Sequence, residues 1–246
     1  MLLSLDNVTK TFPNGTLALD RVSLAVAPGE FVSLVGPSGC GKSTVLRLIA
    51  GLIEPSAGKV LWTGAKPSVG FVFQDAALMP WTSVANNIRL PLDLTRADEA
   101  VAERRVADAL ELVGLAKFAN AYPRELSGGM RMRVSIARAL AMDASVLLMD
   151  EPFAALDELT RDRLNDELRE IWAAKNLTIV FVTHSVYESV YLSSRVIVMS
   201  PRPGRIVADI AMAEPKVRDR DFRTTPAYGD RCRQVREALQ REMAPS

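Results

Sequence analysis

The sequence is poor in the residues that most often announce a chemistry. It has one histidine, His184, and two cysteines, Cys40 and Cys232. That supply excludes a disulfide framework and a zinc site, and it suits a reducing compartment. Charge of one sign is missing too. Thirty Lys and Arg stand against 29 Asp and Glu, a net charge of +1, so nothing argues for a nucleic-acid partner. No run of about 18 apolar residues occurs, because charges interrupt every candidate, and the chain is not expected to span a membrane. Met1-Leu2-Leu3-Ser4-Leu5-Asp6 has no basic lead and no sustained apolar run, so a signal peptide is not expected. Internal repeats and low-complexity tracts are lacking as well.

What is present points elsewhere. Apolar residues make up 48% of the chain, enough to fill a core in one large domain or two small lobes. Two glycine-rich stretches stand far apart. The first is Gly36-Pro37-Ser38-Gly39-Cys40-Gly41-Lys42-Ser43 and the second is Leu126-Ser127-Gly128-Gly129-Met130. The first fits the phosphate-loop pattern, in which backbone N–H groups wrap a phosphate tail and a lysine neutralises it. With glycine at about 7% of residues, a chance match in a chain this long has a probability of roughly one in a hundred. A second motif of similar rarity makes coincidence a poor account of the pair.

Residues 3–12 and 17–26 read as strands around the turn Pro13-Asn14-Gly15, and 60–62 adds another, giving a small antiparallel lobe. Five short runs, 31–35, 69–73, 146–149, 178–182 and 196–199, are almost continuously apolar. Strands covered on both faces, as in a parallel α/β sheet, read this way. Four of these runs lead directly into polar groups: Gly36, Gln74, Asp150-Glu151 and His184. Ligands in open α/β sheets bind beyond the carboxyl ends of the strands, so four strands are expected to deliver polar groups to one edge. From about 91 to 140 the texture is helical, with Ala102, Val106, Ala109, Leu110 and Val113 on one face. Residues 158–173 form an amphipathic helix with Leu164, Leu168 and Ile171 inward. An arginine-rich tail follows Arg202, with a last helix from about 230 to 243.

The chemistry assigned to each group follows from its type and place. Lys42 is expected to reach the β- and γ-phosphates, and Ser43 to bind magnesium. Thr44 continues into a helix whose N-terminus faces the phosphates. A glycine turn before an ordinary helix would give Lys-Ser at that offset no packing purpose. Asp150 suits a magnesium shell, and Glu151 suits a general base polarising the attacking water. Alone, an Asp-Glu pair is more often a solvated loop; the apolar run before it argues otherwise. A lone histidine is usually bland, yet His184 ends a buried-type strand on the ligand edge, so it is read as a γ-phosphate donor. Gln74 could touch magnesium or water. Leu78, Met79 and Trp81 after it could form a docking surface or belong to the core. Ser127-Gly128-Gly129 opens a helix and could be a second anion site or simply a serine cap. One nucleotide has one phosphate tail, so a second phosphate-grade terminus suggests a nucleotide held by another subunit. Phe12 could stack on adenine or pack in the core. Cys40 lies near Lys42 and a helix N-terminus, both of which lower a thiol pKa, so it is expected to be reactive.

Phe12, Gly36, Pro37, Ser38, Gly39, Cys40, Gly41, Lys42, Ser43, Gln74, Leu126–Met130, Asp150-Glu151, Ala155-Leu156-Asp157 and His184 stand in the order of the ABC ATPase motifs. The chain resembles the nucleotide-binding subunit of an ABC transporter over nearly its whole length. The resemblance implies an α/β fold: a P-loop NTPase core with a mainly parallel sheet, an antiparallel β lobe and a helical insert. It implies a single domain, with core at 1–90 and 141–205, helical subdomain at 91–140 and tail at 206–246. It also implies ATP and Mg2+ as cofactors and a head-to-tail dimer with ATP between each P-loop and the partner's signature motif. Asp157 would belong to the loop that crosses between the sites. Membrane permease subunits would dock near Gln74, a solute-binding protein would act upstream, and the chain would sit on the cytoplasmic face of a bacterial plasma membrane. Pro80-Trp81, Leu90-Pro91-Leu92 and the stretch Met199-Ser200-Pro201-Arg202-Pro203-Gly204-Arg205-Ile206 look like the nitrate, sulfonate and taurine importer branch. Three positions depart from the general pattern: Met130 and Met132 replace glutamines, and Ser185 follows His184 where an aspartate is usual. Soluble ABC ATPases of DNA repair or translation usually carry tandem cassettes or coiled-coil insertions, which this chain lacks. A module that binds ATP but barely hydrolyses it would not need Glu151 and His184.

Overall fold

The computed structural model describes residues 1–212, 218 and 220–243. Its elements run β1 (Leu3–Thr11), β2 (Leu17–Val26), β3 (Phe31–Val35), α1 (Lys42–Ala50), β4 (Ala57–Trp62) and β5 (Val69–Val72). Then come α2 (Val84–Leu94), α3 (Glu99–Leu112), α4 (Gly128–Ala141), β6 (Val146–Asp150) and α5 (Glu158–Lys175). The chain closes with β7 (Thr178–Val182), α6 (Val186–Leu192), β8 (Arg195–Met199), β9 (Ile206–Ala211) and α7 (Pro226–Met243). The class is α/β as expected, with parallel strands, a separate antiparallel sheet and a group of helices. The residues gather into two compact units, one of Met1–Lys66 with Leu177–Ser246, the other of Pro67–Asn176.

In the first unit, β2, β1 and β4 form the antiparallel sheet in that order. Alternation sets its inner face: Leu3, Leu5 and Val8 of β1 and Val22, Leu24 and Val26 of β2 are buried. The register slips between Leu5 and Val8. There Asn7 takes a φ of 47° and donates its N–H to Ser23 Oγ at 3.0 Å, which absorbs the extra residue of a bulge. The second layer of this unit runs β7-β3-β8-β9. All residues of β3 and β7 are buried, the burial expected for parallel strands covered on both faces. β9 pairs antiparallel with β8. Helix α7 starts ahead of the expected residue 230, because Pro226 suits a first helical turn and Gly229 does not break it. Its inward residues Tyr228, Cys232 and Val235 are buried.

The second unit holds the parallel pair β5–β6 and helices α2 to α5. The expected inner face of α3 is the observed one: Ala102, Val106, Ala109, Leu110 and Val113 are buried. In α5, Leu164, Leu168 and Ile171 are buried as read from the pattern. The helical stretch begins earlier than expected, since α2 starts at Val84 and carries Pro91 within it. Each of these four helices is capped by a side-chain oxygen on an N-terminal backbone N–H: Ser83, Asp98, Ser127 and Asp157.

Candidate functional site

In the first unit the phosphate-type loop springs from the end of β3. Gly41 sits just before α1 with a φ of 106°, and a Cβ there would meet Leu19 Cδ2 at 2.6 Å, so only glycine fits. Lys42 is 4% exposed. Its ammonium turns back under the loop and donates to the carbonyls of Gly36 (2.8 Å) and Pro37 (2.9 Å). Among the described residues its partners are those carbonyls and the Cys40 sulfur, none of them a carboxylate. A buried cation compensated only by dipoles, beside a helix N-terminus, fits an incoming phosphate.

His184 emerges beside this loop. Strands β3 and β7 are parallel neighbours with Leu34 level with Val182, so both leave the sheet at the same edge. The turn that carries His184 is pinned on both flanks. Thr183 donates its N–H to the Leu34 carbonyl at 3.3 Å. Its hydroxyl accepts the Ser185 N–H at 2.9 Å and donates to Glu188. Ser185, where an aspartate is usual, caps α6 by accepting the Glu188 N–H at 3.2 Å. His184 itself is exposed. Phe12 lies just past β1 and is half-buried, with the Lys10 ammonium 5.5 Å from its ring centre.

In the second unit β5 and β6 end together, Val72 level with Met149. Gln74 follows one and is exposed; Asp150 closes the other. Glu151 holds a φ of 48°, uncommon for a residue with a side chain. Strain of this kind, on the order of 1–3 kcal/mol, gathers at functional positions, where it aims a side chain. Beyond it, Arg161 donates to the carbonyls of Phe153 (3.2 Å) and Leu156 (2.6 Å), drawing the loop towards α5. Asp157 accepts the Thr160 N–H at 3.0 Å, and that bond holds its carboxyl below the usual carboxylate range. Its capping is therefore complete above the ordinary carboxylate pKa and lost as pH falls through the depressed value.

The second glycine motif lies against this same loop. Leu126 is buried and its carbonyl accepts Arg131 Nη1 at 2.7 Å. Ser127 Oγ accepts the Met130 N–H at 3.2 Å as the cap of α4. The Leu156 methyl lies 3.2 Å from where a Gly128 side chain would begin, and Thr160 lies 2.7 Å from the same point on Gly129. The signature-like motif and the Leu156-Asp157 turn thus pack as one piece.

Two residues escaped the sequence reading. Arg138, on α4, donates to the carbonyls of Ala76 (2.8 Å) and Ala77 (2.9 Å), tying the loop after Gln74 to the helix that Ser127 caps. Burial pulls its pKa below the usual arginine value. Asn87, fully buried in α2, accepts the Met79 N–H at 2.7 Å. Its amide nitrogen lies 3.0–3.3 Å from the carbonyls of Met79, Thr82 and Ser83. Around this clamp opens a cavity of about 550 Å³ lined by Met79, Trp81, Thr82, Asn86, Arg89 and Leu90, with Trp81 75% exposed. Asn87→Ala takes this partner from the Met79 N–H and the Thr82 carbonyl, while the Ser83 carbonyl keeps the residue 87 backbone N–H. It is expected to destabilise the protein by about 1–3 kcal/mol, measured as a lower urea midpoint at unchanged slope.

The expected reactivity of Cys40 is not borne out. The residue is 1% exposed, and burial pushes its thiol above the ordinary value of 9.0, outweighing the nearby Lys42 charge. Cys232 is buried and likewise shifted upward by burial. In the native protein at pH 8, Cys40 is expected to react with a maleimide at least 10-fold more slowly than in the urea-unfolded chain, since both thiolate fraction and access are low. Equal rates in the two states would contradict this burial.

A glycine loop folded over a buried lysine at a helix N-terminus, with an acidic pair closing a buried strand, defines a P-loop nucleoside triphosphatase. The chain belongs to the ABC transporter family, whose pattern matches residues 19–154, and is an ATPase of that family. An ATP-binding protein of Brucella abortus is 47% identical over 232 residues, 92% of this chain and 88% of that one. The aliphatic sulfonates import ATP-binding protein SsuB of Bacillus cereus is 45% identical, covering 84% of each chain. Among solved structures, a dimeric ATP-binding cassette in a post-hydrolysis state with ADP and Pi matches 87% of this chain and 100% of its own. Its TM-score is 0.76 and its identity 33%.

Proposed function

We propose that this chain is the ATP-hydrolysing subunit of a bacterial importer for a small solute of the nitrate, sulfonate, taurine or a related kind. The observation that carries the solute class is the 45% identity, over 84% of both chains, to an aliphatic sulfonates import protein. Among the described residues no helix is long and apolar enough to cross a membrane. In this reading separate permease subunits form the path, and the chain works from the cytoplasmic face of the membrane. The permease docks in the cleft beside Trp81, and a solute-binding protein delivers the solute.

In the same reading Gly36, Pro37, Ser38, Gly39, Cys40, Gly41, Lys42, Ser43 and Thr44 hold the phosphates of ATP, and Phe12 stacks on the base. Leu126, Ser127, Gly128, Gly129 and Met130 face the ATP of a second copy, with Asp157 on the loop between the two sites. Glu151 is the general base, while His184 and Gln74 order the γ-phosphate and the water. Magnesium arrives with the nucleotide. Among the described residues no cluster of three or more His, Cys, Asp or Glu could hold a metal ion alone. Ser43, Gln74 and Asp150 each offer a single oxygen of the kind used where Mg2+ keeps waters and substrate phosphates.

Uptake tests this reading. Deleting the coding sequence is expected to abolish growth on an aliphatic sulfonate or taurine as sulfur source, or on nitrate as nitrogen source. The native chain restores growth and Lys42→Ala does not. Normal growth of the deletion strain on all three, with uptake of each labelled solute unchanged, would overturn the assignment to these three solutes.

A further inference from the structure

The turn at residues 200–205 belongs to none of the motifs that bind or hydrolyse nucleotide. It nevertheless lies directly behind the phosphate loop. It is closed on itself: the Ser200 N–H donates to the Arg205 carbonyl at 2.9 Å, and the Arg205 N–H donates to Ser200 Oγ at 3.0 Å. It is then fastened to β2. The Gly204 N–H donates to the Ala18 carbonyl (2.9 Å), and the Asp20 N–H donates to the Gly204 carbonyl (3.0 Å). The Arg205 guanidinium grips the Asp20 carboxylate at 2.5 and 2.9 Å and holds that carboxyl below the usual range.

From this platform two residues reach the loop. Arg202 donates both Nε (3.1 Å) and Nη2 (3.0 Å) to the carbonyl of Gly39. Gly204 approaches so closely that a Cβ there would lie 2.0 Å from the carbonyl oxygen of Cys40. A planar trans peptide points its carbonyl and the following N–H in opposite directions. Holding the Gly39 carbonyl therefore fixes the Gly39–Cys40 peptide plane, whose N–H donates to the Pro37 carbonyl at 3.3 Å and closes the loop on itself, and seating the Cys40 carbonyl on Gly204 sets the Gly41 N–H. Loops that bind anions do so by converging successive N–H groups, so their strength depends on how firmly those peptide planes are fixed in advance.

We propose that Arg202 and Gly204 are positioning residues for ATP binding: the turn at 200–205 is a rear brace that fixes the Gly39–Cys40 and Cys40–Gly41 peptide planes, and with them the Gly41 N–H, for the nucleotide phosphates. The inference rests on reading residues 36–44 as the phosphate loop. Arg202 is exposed on the protein surface, so its replacement leaves the core intact.

The test uses the full chain carrying Cys232→Ser, so that Cys40 is the only thiol. Three variants are compared with it: Arg202→Ala, Arg202→Lys and Gly204→Ala. Cys40 labelling by a maleimide reads the brace without any nucleotide, and a fluorescent ATP analogue reads affinity. Arg202→Ala loses charge-assisted bonds and is expected to speed labelling and weaken nucleotide binding, each by about 10-fold. Arg202→Lys keeps one donor and falls between. Gly204→Ala displaces the Cys40 carbonyl and follows Arg202→Ala. A merely structural role would lower the melting temperature while leaving labelling and affinity at 25 °C unmoved, and that result overturns the proposal. The parent reading fails separately, if Lys42→Ala binds the analogue as tightly as the native chain. In that case Cys40 labelling still reports whether the brace holds the loop.

Discussion

Glu151→Gln is expected to bind ATP as tightly as the native chain and to hydrolyse it roughly 10²–10⁴-fold more slowly, the usual span for loss of a general base. The amide keeps the size and hydrogen-bonding reach of the carboxylate but cannot take a proton from water. Glu151 follows a strand whose Val146, Leu147, Leu148 and Met149 are fully buried, so its backbone is anchored on one side. Its φ of 48° turns the chain sharply at that point, and the Ala154 N–H closes the turn on the Glu151 carbonyl at 3.2 Å. A glutamine placed there inherits the same backbone. In the proposed cycle hydrolysis releases the closed state, so ATP and magnesium are expected to accumulate a stable dimer of the variant, seen by gel filtration. A variant that stays monomeric and hydrolyses ATP at the native rate would remove Glu151 from the chemistry.

Ser127→Arg is expected to abolish ATP-driven dimerisation and nearly all turnover while leaving nucleotide binding at the variant's own loop intact. Ser127 caps α4, and its neighbours Gly128 and Gly129 pack against Leu156 and Thr160. An arginine removes the cap, worth about 1 kcal/mol, and adds bulk at the surface that the proposed shared site turns towards a partner's nucleotide. Lys42→Ala carries the complementary lesion. Mixing the two chains forms heterodimers in which one site has both lesions and the other has neither. ATPase activity is expected to return in the mixture above the sum of the separate variants. Purely additive rates would mean that each chain works alone.

Much of this arrangement is legible in the sequence because it is written locally. β3 and β7 are almost continuously apolar runs that end at Gly36 and Thr183, and their limits coincide with those read from the pattern. The polar groups at strand ends are legible for the same reason: each closes its strand or follows it by one or two positions. Longer-range effects are not. β4 extends back through the exposed Ala57-Gly58-Lys59, which no apolar pattern marks; pairing with β1 defines it. The start of α2 was hidden by Pro91 and by the polar pair Asn86-Asn87. Asn87 is buried because its amide oxygen and nitrogen both bond to the backbone of the preceding loop, a use of asparagine that leaves no periodicity. The alternation in β9 was present in Ile206, Ala208 and Ile210, yet the arginine-rich texture of the tail obscured it. Arg138 and Arg202 act on backbone carbonyls more than 60 residues away in sequence, at Ala76 and Gly39, so neither has a local signature. Cys40 shows the opposite failure. Its neighbours suggested an activated thiol, but depth in the fold decides the sign, and burial prevails over one nearby lysine.

The central claim is that two copies of this chain share each ATP, one giving the loop around Lys42 and the other the motif at Ser127. Disulfide trapping tests it most directly. Ser38→Cys and Gly128→Cys are introduced together into a chain whose Cys40 and Cys232 are replaced by serine, with Glu151→Gln added to hold the closed state. At Gly128 the Leu156 methyl, 3.2 Å from the new Cβ, needs to shift only a few tenths of an ångström. With ATP and magnesium, a mild oxidant is expected to produce a covalent dimer on a non-reducing gel, and far less of it without nucleotide. Cross-links confined to a single chain, or dimers formed equally with and without ATP, would contradict the shared site and leave a self-contained ATPase.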